Sequence, residues 1–417
     1  MSKKSKNLPQ LRFSEFEGSW KKSSLSSLLE KVIDYRGKPP PKSDDGIVLI
    51  TARNVKQGFL DFTSKEFIAS EDYDSWMNRG IPQKGDVLFT TEAPLGNVCI
   101  FPEGGVYALG QRTLTLRTKS SLSNGEFLFY ILQSPKIREE IFSQSTGSTA
   151  KGIKSSIFKE IPLEVPSIAE QEKIASFLGA IDTRLTQLRR KHELLQTYKR
   201  GVMQKIFSQE IRFKGDRRKP FPDWNAGSFY DCLDEIVDFR GRTPVKLGME
   251  WGGGNILSLS ANNVKNGYID FQAECNLASE ELHEKWMSGI DVRKDDIIFT
   301  MEAPLGNATL IPDSQKYILS QRVVLFKTSK NINNRFLLQL IWSPFFQESL
   351  KSLSTGTTAK GINQKSLKKI NIHYPTIGEQ EKISDFLLAI DKKIEAISQQ
   401  INLTAQFKKG LLQKMFV

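Results

Sequence analysis

Histidine and cysteine are scarce in this chain of 417 residues, which holds only His192, His283 and His373 and Cys99, Cys232 and Cys275. No two cysteines stand at C-x-x-C spacing and the histidines are scattered, so neither a zinc site nor a disulfide framework is expected, and the metal expectation is none. No apolar run reaches the roughly 18 residues of a membrane span. The lysine-rich start leads into Leu8-Pro9-Gln10 and not into an apolar segment, so no secretory signal is expected and the chain reads as cytoplasmic. Catalytic signatures are missing too. There is no Gly-x-Gly-x-x-Gly loop, no Gly-x-x-x-x-Gly-Lys-Ser/Thr cradle and no Asn/Asp-Pro-Pro-aromatic methyltransferase tetrapeptide, and no lysine has glutamate two positions before it. With so few histidines for general-base chemistry, the expectation is a chain that is not an enzyme and binds no cofactor of its own.

The sequence is instead rich in repetition, and its net charge is +12, which suits a polyanionic partner. Thr90-Thr91-Glu92-Ala93-Pro94-Leu95-Gly96-Asn97 returns as Thr300-Met301-Glu302-Ala303-Pro304-Leu305-Gly306-Asn307. Ser145 to Ile153 returns as Ser354 to Ile362 with one change, and Glu170-Gln171-Glu172-Lys173-Ile174 returns unchanged at Glu379 to Ile383. Asp34-Tyr35-Arg36-Gly37 matches Asp238-Phe239-Arg240-Gly241. The offset is 204 at that pair and 209 or 210 afterwards, so two copies of one unit of about 200 residues run in tandem.

Within each copy, short β-like runs with turn residues between them are interrupted by helical segments near Gly125–Gln144 and Asn334–Leu350. The expected class is α+β, with globular domains over residues 1–165 and 210–374 and helices over 166–209 and 375–417. In the first helix Leu178, Ile181, Leu185, Leu188, His192, Leu195, Lys199, Val202 and Ile206 alternate at spacings of three and four. Leu387, Ile390, Ile394, Ile397, Ile401, Thr404, Lys408, Leu411 and Met415 hold the same register in the second. Matched heptads favour mutual pairing over two unrelated core helices. Helices of about 60 Å, joined by a domain too small to carry the chain back, are expected to pair antiparallel with pseudo-twofold symmetry. Such an object suits duplex DNA read as two half-sites at fixed spacing. The alternative is a coiled-coil scaffold whose globular ends bind protein.

The repeated residues are similar to those of the DNA-specificity subunit of type I restriction–modification systems. They are the Ser-Thr-Gly-x-Thr-Ala-Lys-Gly-Ile stretch before each helix, Pro-x-Ile-x-Glu-Gln-Glu-Lys-Ile opening it (166–174 and 375–383), Phe-Leu-x-Ala-Ile-Asp after that (177–182 and 386–391), and the Gly201–Phe207 and Gly410–Phe416 closures. The resemblance spans the whole chain. It implies two target-recognition domains, helices that act as a spacer, and double-stranded DNA as partner. Two modification subunits would carry S-adenosylmethionine-dependent methylation, and restriction subunits using ATP can join them.

Candidate DNA contacts follow from residue chemistry. Arg36 and Arg240 can meet phosphate or guanine, or else pair with neighbouring Asp34 and Asp238. Lys38, Lys42, Arg242 and Lys246 read as phosphate contacts. Thr149, Lys151, Thr358 and Lys360 lie in a glycine-flanked loop that either binds phosphate or is a structural turn. Gln111-Arg112 and Gln321-Arg322 suit adenine or guanine edges, or stand at the edge of the core. Glu92 and Glu302 can accept from cytosine, though a shared strand-to-turn element also means shared fold. On the helices the apolar seam faces the partner helix, so subunit contacts are expected on the outer faces, with Arg184, Arg189, Arg190, Lys392 and Lys393.

Overall fold

A computed structural model describes residues 8–37, 39–356 and 360–417, with only the backbone for Asp216. The chain divides into two compact units, residues 1–189 with 399–417, and residues 190–398. Among the described residues no helix is long and apolar enough to cross a membrane.

Besides the antiparallel pair of Lys21–Ser24 with Pro162–Val165, the first unit has two four-stranded sheets. One is antiparallel throughout, with the strand order Leu29–Asp34, Thr113–Thr118, Val87–Thr90, Val98–Ile100. The other has the order Lys42–Ser43, Glu66–Ile68, Ile47–Ile50, Tyr107–Leu109, and its last pair is parallel. The strand Val87–Thr90 is buried along its whole length, which its run of Val, Leu, Phe and Thr favours. Two helices, Gly125–Ile131 and Pro135–Ser143, cover the first sheet. Asn124 caps the first by accepting from Phe127 N–H. Ser134-Pro135 separates them, because proline brings no N–H to continue a helix.

The second unit repeats this plan. Its four-stranded antiparallel sheet runs Leu233–Val237, Val323–Thr328, Ile297–Thr300, Ala308–Leu310, and a three-stranded sheet runs Leu277–Ala278, Ile256–Leu259, Tyr317–Leu319, again with a parallel last pair; Asn225–Ser228 with Asn371–Tyr374 and Val264–Lys265 with Tyr268–Ile269 form two further antiparallel pairs. The helices Asn334–Trp342 and Pro344–Leu353 stand where the repeat places them. Where the first unit has the strand Lys42–Ser43, the second has a short helical turn, Val245–Leu247.

The two long helices are Ile168–Phe207 and Ile377–Lys414. Their shared opening motif docks each helix onto its own domain. Glu170 is buried and takes Arg12 Nε at 2.8 Å, Arg12 Nη2 at 2.7 Å and Trp20 Nε1 at 3.3 Å. Glu379 is buried against Arg212 Nη2 at 2.8 Å and Trp224 Nε1 at 3.2 Å. The next residue, Gln171, accepts from Asn124 N–H at 2.9 Å and donates to Leu122 and Pro166 carbonyls. Gln380 does the same with Asn333, Asn331 and Pro375. Buried polar groups persist only when their hydrogen bonds are met, and here all of them tie helix to domain.

Within each unit a stretch of one long helix lies antiparallel to a stretch of the other. In the first unit Leu178 shares a core with Leu411 and Met415, and Lys408 Nζ meets Asp182 at 2.6 Å. In the second unit Lys199 Nζ meets Asp391 at 2.7 Å and His192 Nε2 meets Ser398 Oγ at 3.0 Å. Leu178, Leu185, Leu188, Leu387, Ile390, Ile397 and Leu411 are buried, whereas Ile181, Leu195, Val202, Ile394 and Ile401 are partly covered. The lysines that interrupt the seam are matched across the repeat. Lys408 lies over Tyr130 and Lys199 over Trp342, each ion-paired to the aspartate of Ala-Ile-Asp. Thr404 turns its hydroxyl back to Gln400 C=O.

Candidate nucleic-acid interface

The strand Val87–Thr90 ends at Thr91 and Glu92, and two segments clamp that end. Thr91 N–H donates to Arg112 C=O at 2.9 Å, and Ile153 N–H donates to Thr91 C=O at 2.9 Å. Thr146 and Gly152 exchange both backbone hydrogen bonds at 2.9 Å, closing the loop between them. Glycine is needed inside it: Gly147 has φ +110°, and a Cβ there would stand 2.2 Å from Ala150 O. The second unit repeats the clamp through Met301, Arg322, Ile362 and the Thr355–Gly361 pair, at 2.8–2.9 Å. The Ser-Thr-Gly loop is thus tied to the strand end through the N–H of the isoleucine that follows its last glycine, Ile153 in one unit and Ile362 in the other. Thr149 and Lys151 remain exposed on it, as does Lys360; Thr358 falls outside the described residues. Lys151 Nζ sits 5.9 Å from the Phe142 ring centre.

The clamp sets an arginine against a glutamate at each strand end. Arg112 Nε lies 2.5 Å from Glu92 Oε1, and Arg322 Nε lies 3.3 Å from Glu302 Oε1. Both arginines have positive φ (67° and 71°) and about half their side-chain surface exposed. Exposed pairs of this kind contribute at most about 1 kcal/mol, so each guanidinium can turn to a stronger anion at small expense. Gln111 is half-buried and Gln321 exposed beside them.

Arg36 and Arg240 hold the aspartates two residues before them. In both, Nε and Nη2 form a bidentate pair, with Nη2–Oδ2 at 2.6 Å, and the arginine N–H also donates to Oδ1 at 3.0 Å. Burial pushes the Asp34 and Asp238 carboxyls up, but the hydrogen bonds and charge of these arginines outweigh it and hold both below the usual range. Gln364 adds a bond to Asp238 Oδ2 at 2.7 Å. The intramolecular pairing weighed for these arginines is thus present in both copies. It also fixes the side chains: each guanidinium is about one-third exposed and, among the described residues, its Nη1 makes no hydrogen bond.

The other candidates have local partners. Lys42 Nζ pairs with Glu66 at 2.9 Å and Lys246 Nζ donates to Gly241 C=O at 2.6 Å. Arg242 donates to Trp286 C=O and lies over the Phe239 ring at 4.5 Å. Lys38 falls outside the described residues. Arg79, absent from the sequence reading, braces the Arg36 turn by donating to Asp34 and Arg36 carbonyls at 2.7 and 2.9 Å. Gln364 was also missed, and repeat comparison had no signal for it because Ser155 stands at its position in the first copy. Burial pushes the Cys99 and Cys232 thiols up to about 12, which makes them structural and not reactive.

A family model of the type I restriction modification DNA specificity domain matches this chain twice, over residues 17–196 and 230–405. The specificity subunit of the type I restriction enzyme MjaVIII from Methanocaldococcus jannaschii is 25% identical over 371 residues, covering 86% of this chain and 81% of that protein. The EcoKI specificity subunit from Escherichia coli is 22% identical, covering 86% and 78%. In fold, the chain is similar to the S subunit of a type I restriction-modification system from M. genitalium, with TM-score 0.58, 15% identity and coverage of 98% and 99%. Two tandem matches that leave little of the chain outside them place it, by sequence, in the type I restriction modification DNA specificity domain family.

Proposed function

We propose that this chain is the non-catalytic DNA-specificity subunit of a type I restriction–modification complex. Each globular domain reads one half of an asymmetric, gapped target in double-stranded DNA. The observation that carries this reading is the duplicated family match together with the duplicated edge, where Arg36 and Arg112 in one unit and Arg240 and Arg322 in the other stand on matched, partly exposed loops. The long helices set the gap and hold two modification subunits. Those subunits supply S-adenosylmethionine-dependent methylation, ATP-using restriction subunits can join, and the assembly works in the cytoplasm.

The test is a methylome read with and without the chain. Exchanging residues 1–165 for the first domain of another family member should change one half of the methylated motif and leave the other intact. A change in both halves would refute the two-module reading. The helices are tested separately. Removing one heptad from each shortens it by about 10 Å and keeps the seam in phase, so the methylated motif should lose gap length or go unmethylated. Full methylation of the original motif would mean the helices are not a ruler.

A further inference from the structure

The two copies differ most in the loop after Asp-aromatic-Arg-Gly. Between Asp34 and Asn54 the offset to the second copy grows from 204 to 209, so the second copy carries five more residues there. In the first unit this stretch, 37–46, has no aromatic residue. In the second it forms the Val245–Leu247 turn, ends that turn on Gly248 at φ 67°, and brings Trp251 back beside it. The result is a cleft of about 370 Å³ walled by Thr243, Pro244, Val245 and Trp251, with Gln321 at its rim.

Its chemistry narrows what it can hold. Val245 is 80% exposed, so an apolar side chain is presented to solvent at the opening. Trp251 is fixed from behind by Trp286, ring centres 5.3 Å apart, and Trp286 is itself anchored by donating to Leu319 C=O at 3.0 Å. The cation in the wall, Arg242, is engaged by Trp286 C=O and the Phe239 ring, and Glu250 places a carboxylate nearby. A phosphate would meet little free positive charge and one repelling group. Gln321 is exposed and, among the described residues, its amide makes no hydrogen bond, so both its donor and its acceptor are available.

In the major groove the apolar group that base pairs present is the thymine methyl, and the adenine opposite offers the N7 acceptor and N6 donor that a glutamine amide pairs with. We infer that the second domain uses this cleft to read an A·T pair in its half-site, with the thymine methyl against Val245, Pro244 and Trp251 and Gln321 on the adenine. The inference rests on the DNA-specificity reading. This contact has no counterpart in the half-site of the first domain.

The experiment uses the chain assembled with its modification subunits and the motif found by methylome sequencing. Each thymine of the half-site assigned to the second domain is replaced in turn by deoxyuridine, which removes only the methyl group, and binding is measured. One position should weaken about four-fold, the worth of one buried methyl group. At that position Val245→Ser and Trp251→Ala should each erase the difference between thymine and uracil, while Gln321→Ala should reduce discrimination against other base pairs ten-fold or more. Val245 is so exposed that its variant is expected to fold normally. The inference is overturned if no thymine methyl in that half-site matters, or if a methyl effect persists unchanged in both wall variants. A complex that binds no specific DNA would refute the functional reading itself, a different outcome from a specific complex whose second half-site lacks this contact.

Discussion

Arg212→Ala is expected to destabilise the second unit by about 3 kcal/mol and to leave the first unit's unfolding unchanged. Glu379 is fully buried at the start of its helix, and Arg212 is the cation beside it. Removing one partner of a buried pair strands the other charge, at about 3–5 kcal/mol. The lower end applies because Trp224 still donates to the carboxylate. Adding Glu379→Gln to Arg212→Ala should recover most of the loss, since the buried group is then neutral. Denaturant unfolding of the single and double variants checks both statements, provided the transitions of the two units are followed separately. Arg12→Ala should do the same to the first unit through Glu170.

This network marks where sequence reading reached and where it stopped. The repeat and the heptads exposed two α+β copies and two long helices, because identity at fixed offset and apolar periodicity are local signals. The segments Gly125–Gln144 and Asn334–Leu350, each read as one helix, are in fact two helices broken at Ser134-Pro135 and Ser343-Pro344. The reason Glu-Gln recurs at each helix start was not legible. Its partners Arg12 and Arg212 stand 158 and 167 residues away, and they are offset from each other by 200, out of step with the rest of the duplication. The sheet order, with one parallel pair in each unit, depends on long-range closure that no window of sequence contains. At the site, the Asp34–Arg36 pairing was visible as a possibility because the residues are neighbours. The Glu92–Arg112 pairing was not, since it needs the strand Val87–Thr90 beside the strand Thr113–Thr118.

Leu194→Glu with Tyr198→Glu, and Leu403→Glu with Phe407→Glu, should each abolish one docking position for a modification subunit. These residues are 51%, 53%, 66% and 56% exposed, high for large apolar side chains on a helix that already buries a seam elsewhere. The two pairs occupy equivalent positions in the duplication, at an offset of 209, and members of each pair are four apart and so share a face. Three residues on, each helix carries a glycine, Gly201 and Gly410, where an added Cβ would meet nothing within 4 Å. A mid-helix glycine costs about 1 kcal/mol relative to alanine, and neither glycine is explained by packing inside the chain. A face built twice, apolar and open beside a bare stretch of backbone, suits a partner that binds twice and approaches closely. Central apolar anchors of such interfaces contribute about 2 kcal/mol or more each. Each double variant should therefore yield complexes with a single modification subunit, and the fourfold variant none, as read by the mass of the co-purified assembly. Thermal unfolding of the free chain should be unchanged, because the altered side chains are exposed. Gly201→Ala should raise the stability of the free chain and still weaken assembly, a combination that loss of folding cannot produce. Retention of two subunits in the fourfold variant would move the docking face to the basic side of the helices, around Arg184, Arg189, Lys392 and Lys393.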